Sequence, residues 1–97
     1  MARQITKEIV KAFMEGTNKK VSNSEVHADC TGVYMYLFGN LIAVRCNQRI
    51  KVTLAGWNTA TTRERLNGIP RVSIQQKKGR AYLNGEPMEE NAWYIVK

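Results

Sequence analysis

The chain is poor in cysteine, proline, histidine and acid. Its 97 residues include two Cys, two Pro and one His, and eight Asp and Glu stand against fifteen Lys and Arg. Two thiols, Cys30 and Cys46, are too few for a disulfide framework and point to a reducing cytoplasm. A closed structural zinc site takes four Cys or His ligands, and the whole chain has three such residues. The apolar runs are short, whereas a membrane span needs ~20 residues, so no membrane partner is expected. Met1-Ala2-Arg3-Gln4 leads into a charged segment without the apolar centre of an export signal. There is no internal repeat, no Ser/Gly-rich linker, and no glycine loop ending in Lys-Ser/Thr. At this length one domain over 1–97 is expected, with a helix in 1–16 and a sheet-rich core in 20–97.

What is present is periodic. Ile5, Ile9, Val10, Phe13 and Met14 share one helical face, with Lys7, Glu8, Lys11 and Glu15 on the other. Thr6 is placed to cap this helix and Gly16 to end it. Residues 21–29, 33–37, 41–46 and 50–54 read as strands, and Gly39-Asn40 reads as a type II′ hairpin turn. Thr61 and Glu64 have capping-box spacing before a short helix over 63–67, stopped by Gly68 and Pro70. Residues 71–77, 80–83 and 93–96 complete the strands, with turns at Lys78-Gly79 and Asn84-Gly85. The fold class is therefore α+β: an N-terminal helix plus a mainly antiparallel sheet of five to seven strands, with one short helix inserted after the central meander. Trp57 reads as an anchor for its loop, and Trp93 as closing the core.

Alternation along strands sorts the side chains into two sets. Val33, Met35, Leu37, Ile42, Val44, Cys46, Ile50, Val52, Leu54, Val72, Ile74, Ala81 and Leu83 are expected inside. The alternate positions include Arg45, Arg49, Lys51, Arg71, Lys77 and Arg80, with Tyr34, Tyr36 and Tyr82 and no carboxylate. The charge count agrees. Nine Lys or Arg lie between residues 45 and 80 against one acid, Glu64, while the other six cations are offset by seven acids. Such a face suits nucleic acid, with cations on phosphates and tyrosine rings under unpaired bases. An aromatic and arginine-rich surface also suits a protein partner.

Catalysis is not expected. His27, Asp29 and Cys30 lie close in sequence, but the two thiols read as small buried hydrophobes. Glu86, Glu89 and Glu90 cluster away from the basic block, so no metal site is expected either. The Thr59, Thr61, Thr62, Arg63, Arg65 group reads as ordinary capping beside exposed arginines. No catalytic residue, cofactor or metal ligand is assigned.

The stretch Tyr36-Leu37-Phe38-Gly39-Asn40-Leu41-Ile42-Ala43, then Ala55-Gly56-Trp57, then Thr61-Thr62-Arg63-Glu64-Arg65-Leu66-Asn67, then Gln76-Lys77-Lys78-Gly79 and Tyr82-Leu83-Asn84-Gly85, resembles a group of short tailed-bacteriophage proteins. The resemblance spans about 20–97 and leaves the N-terminal helix outside. It implies a phage product acting in the host bacterial cytoplasm, and it carries no catalytic or binding residue onto this chain. The sequence reading is thus a non-enzymatic module that contacts nucleic acid through Arg45, Arg49, Lys51, Arg71, Lys77, Arg80, Tyr34, Tyr36 and Tyr82. The alternative is a host-takeover or defence-countering protein that binds and inhibits an acidic bacterial protein. Edge strands and the amphipathic helix leave a homodimer open.

Overall fold

The structure, a computed structural model, describes residues 4–96. Residues 1–3 of the expected helical segment, and Lys97, lie outside the described residues. Helix α1 spans Gln4–Glu15 and buries Ile9, Val10, Ala12 and Phe13. Gly16, at φ +75°, closes it: the amides of Gly16 and Thr17 both donate to the Ala12 carbonyl. Thr6 lies inside α1 and is buried, so it does not cap the helix.

Strands β1 (Lys19–Val21), β2 (Ser24–Asp29), β3 (Gly32–Leu37), β4 (Asn40–Cys46) and β5 (Arg49–Val52) follow as an antiparallel meander. Helix α2 (Ala60–Asn67) comes next, then β6 (Ile74–Lys77), β7 (Arg80–Leu83), β8 (Glu86–Pro87) and β9 (Tyr94–Val96). The strands do not form one sheet. β9 returns beside β5 to complete a six-stranded sheet, β1-β2-β3-β4-β5-β9, and β6-β7-β8 form a separate three-stranded sheet. Both sheets send their apolar faces into one buried cluster with α1 and α2.

Four details depart from the sequence reading. Leu37 pairs with Asn40, so the β3–β4 turn is Phe38-Gly39, both at positive φ as in a type I′ turn, rather than Gly39-Asn40. Pairing then slips: Met35 opposes Ala43 but Tyr36 opposes Leu41, leaving Ile42 as an extra residue. This bulge inverts the alternation in β4. Ile42, Ala43 and Arg45 fall on the inner side, and Val44 and Cys46 on the outer side. Thr59, not Thr61, caps α2, accepting from the Thr62 amide. Finally Gly68 ends α2 at φ −73°, so no left-handed turn requires it. A Cβ there would meet methyls of Val10 and Thr6 at 2.7 and 2.8 Å, so close approach to α1 is what excludes a side chain.

Candidate functional site

The expected basic face is not one surface. Arg49 and Lys51 lie on the outer side of the six-stranded sheet with Tyr34 and Tyr36. Lys77, Arg80 and Tyr82 lie on the separate second sheet. Arg71 precedes β6 at φ +69° and belongs to no strand. Arg45, moved inward by the bulge, donates from Nε to the Phe13 carbonyl at 3.1 Å. There it satisfies a free carbonyl at the C-terminus of α1, an end of the helix that favours a cation. The outer side of the large sheet also carries acid, because Glu25 and Asp29 of β2 share it with Tyr36 and Tyr34. Asp29 accepts from the Thr31 amide at 2.8 Å and from the Thr31 hydroxyl at 2.5 Å. The Thr31 hydroxyl and amide bonds hold its carboxyl below the usual range.

The residues expected to be chemically quiet lie elsewhere than predicted. Cys30 and Cys46 are both exposed free thiols. Trp93 is exposed, and Tyr94 and Val96 pack against the core in its place. Arg65 is the largest fully buried side chain, at 2% exposure. Its Nε donates to Ser24 Oγ at 3.0 Å, and its Nη1 to Thr6 Oγ1 at 2.7 Å and Glu64 Oε1 at 2.5 Å. Thr6 Oγ1 donates in turn to Glu64 Oε1 at 3.0 Å. Glu64 thus belongs to a buried polar junction of α1, α2 and β2, rather than to a capping box. Among the described residues no group of three or more His, Cys, Asp or Glu is placed to hold a metal.

The best-formed concavity is one that residue-by-residue reading missed. A cleft of about 450 Å³ opens at the β3–β4 turn, floored by Leu37, Ile42 and Leu54 and walled by Asn40, Thr59 and Thr62. Phe38 and Trp57 form its rim, 68% and 59% exposed. Both sit on strained or tightly held backbone. Phe38 has φ +52°, a left-handed conformation that is unfavourable for a bulky side chain, and its amide donates to the Asn23 carbonyl at 2.8 Å. Ala55 and Gly56, both at positive φ, form the turn that presents Trp57, whose amide donates to the Leu54 carbonyl. The Gly56 amide donates to the Glu90 carbonyl at 2.8 Å, and a Cβ on Gly56 would meet Asn91 Oδ1 at the same distance.

The far wall is equally fixed. Thr59 Oγ1 and Thr62 Oγ1 lie 3.0 Å apart at the start of α2. Arg63 Nη1 donates to the Asn58 carbonyl and to the Asn58 side-chain oxygen. The frame is held by backbone and side-chain bonds, while two large aromatic faces remain in water. Two sequence signals pointed here: a phenylalanine beside the glycine of a hairpin turn, and a tryptophan directly after an Ala-Gly turn.

The fold defines a small α+β protein with a six-stranded antiparallel sheet, two helices and a second, three-stranded sheet. A family model described as Kyanoviridae Gp96 protein matches residues 2–96, and the chain belongs to that family. The match includes α1, which the sequence resemblance had left outside. No curated protein and no solved structure matches the chain. No helix among the described residues is long and apolar enough to cross a membrane.

Proposed function

We propose that this phage protein is a non-enzymatic module that captures an acidic protein partner in the host cell, seating an apolar side chain of that partner in the Phe38–Trp57 cleft. The observation that carries the reading is the exposure of two large aromatics on a rigid apolar frame. Aromatic anchors at a preformed pocket dominate protein interfaces, and ordering them there has little entropic cost. The charge of the partner follows from this chain's own +7. No charged residue lines the cleft, and α2 has no acid in its first turn. A carboxylate beside the inserted side chain would therefore meet the positive end of α2 rather than repulsion. The host bacterial cytoplasm is the compartment this reading requires.

The test is affinity capture from nuclease-treated lysate of the host, comparing wild type with Phe38→Ala and Trp57→Ala. A protein retained by wild type and lost by both variants, each still folded by circular dichroism, is the expected result. A retained set identical for all three overturns the proposal.

A second reading, nucleic-acid binding, keeps one specific support. Every residue from Gln75 to Arg80 is exposed, forming a β6–β7 hairpin with Lys77, Lys78 and Arg80 at its tip. A two-stranded ribbon of this kind fits a major groove. About three phosphate contacts would give a log–log salt slope near −2.7. Polarisation of labelled duplex at low salt separates the readings: binding abolished by Lys77→Glu with Lys78→Glu, but unaffected by Phe38→Ala, favours nucleic acid.

A further inference from the structure

The outer side of the six-stranded sheet has no cover: Glu25, Asp29, Cys46, Arg49 and Lys51 on it are exposed, while α1 packs against the other side of β2 and β3. The exposed side of a half-covered antiparallel sheet is normally polar. Here its middle is not: Tyr34 and Tyr36 of β3 stand beside Val44 and Leu41 of β4. Charge is sorted across this face. Glu25 and Asp29 lie on β2 with His27 between them, and Arg49 and Lys51 on β5, with the two apolar strands between these rows. Lys20, opposite Glu25, stands further out on β1.

We propose that two copies of this chain pair through this face about a twofold axis that runs parallel to the strands between β3 and β4. That operation places β2 of one copy over β5 of the other and β3 over β4. Register then sets Asp29 against Arg49 twice and His27 against Lys51, while Tyr34 meets Val44 and Tyr36 meets Leu41. A twofold axis across the strands would instead stack acid on acid and base on base, so charge selects one of the two isologous arrangements. Aligned sheets pack face to face in this manner at about −30°. A shallow hollow of about 420 Å³ bounded by Val44, Cys46, Arg49 and Lys51 receives the Asp29 end of the partner's β2–β3 hairpin. Six strands at ~4.8 Å spacing and ~3.4 Å per residue give roughly 500 Å² per copy, the low end of specific interfaces, so association belongs in the micromolar range. The cleft opens on the inner side and stays accessible in the pair.

Sedimentation equilibrium of the full chain between about 1 and 200 µM should show a mass rising from 11.1 kDa towards twice that value. Two charge-reversed variants test the geometry: Arg49→Glu and Asp29→Lys. Each alone should weaken self-association by about tenfold or more, and an equimolar mixture should recover it, because the heterodimer restores both opposite-charge pairs. Should Asp29→Lys unfold its turn, Arg49→Glu beside wild type still reads the pair, and its self-association should be about tenfold weaker. A wild type monomeric throughout the range, or reversed variants that associate as wild type does, overturns the proposal. So does a mixture no tighter than its components. Phe38→Ala should leave the dimer intact, which separates this interface from the cleft.

Discussion

Phe38 tests whether the cleft is maintained for binding rather than for stability, and Phe38→Asn is the perturbation that decides it. Two terms oppose each other. A buried Phe removes ~150–250 Å² from water, so a side chain with 68% of its surface exposed buries only ~65 Å², about 1.6 kcal/mol. Against this, left-handed backbone at φ +52° costs a bulky residue roughly 1–2 kcal/mol, and asparagine tolerates it. The terms nearly cancel, so Phe38→Asn should shift unfolding free energy by less than ~1 kcal/mol in either direction. Phe13, fully buried in α1, is the contrast, since Phe13→Ala should cost ~3–5 kcal/mol. The assay is urea unfolding followed by circular dichroism, run beside capture of the partner found in lysate. Phe38→Asn should melt like wild type and lose capture by ~30-fold or more, the scale of a hot-spot aromatic. A loss of stability above ~2 kcal/mol would show a packing role the exposure does not account for. Undiminished capture would remove the functional reason for a strained aromatic at a turn.

Three further outcomes follow from the interior. Arg65→Met should destabilise by ~3 kcal/mol, the low end for breaking a buried pair, because Glu64 is partly exposed and Thr6 still donates to it; thermal melts should fall by roughly 12–24 °C. Gly68→Ala should cost ~1–3 kcal/mol in urea unfolding although its backbone suits alanine, since the new methyl meets Val10 and Thr6 below 3 Å; a stabilised variant would refute the close-approach argument. Asp29 has its folded-state carboxyl held low, so the stability it adds is present above the ordinary aspartate range and lost as pH falls from that range through the lowered folded-state value. Asp29→Asn should flatten the acid limb of the stability–pH curve relative to wild type, and two curves of equal slope would sink the assignment.

Local patterning carried much of the fold into view. The 3.6-residue spacing from Ile5 to Phe13 marks α1, and Gly16 ends it because a left-handed residue is needed there. Alternation and the Lys78-Gly79 and Asn84-Gly85 turns mark β3 and β5 to β7. These features depend on neighbours within a few positions, which is why a linear reading reaches them. The apolar inside of β3 and β5 was legible for the same reason, as was the basic excess, which is a matter of counting.

The tertiary structure decided what depends on distant partners. One extra residue at Ile42 turned Arg45 inward and Val44 outward, because a strand's period of two converts a single-residue slip into a change of face. The choice of β9 rather than β6 as the neighbour of β5 divided the cations between two sheets. Arg65 looked exposed from its helix position, yet Thr6 and Ser24, 59 and 41 residues away, bury and satisfy it. The cleft likewise exists only because a hairpin tip, a turn and a helix start converge, and no local pattern encodes that meeting.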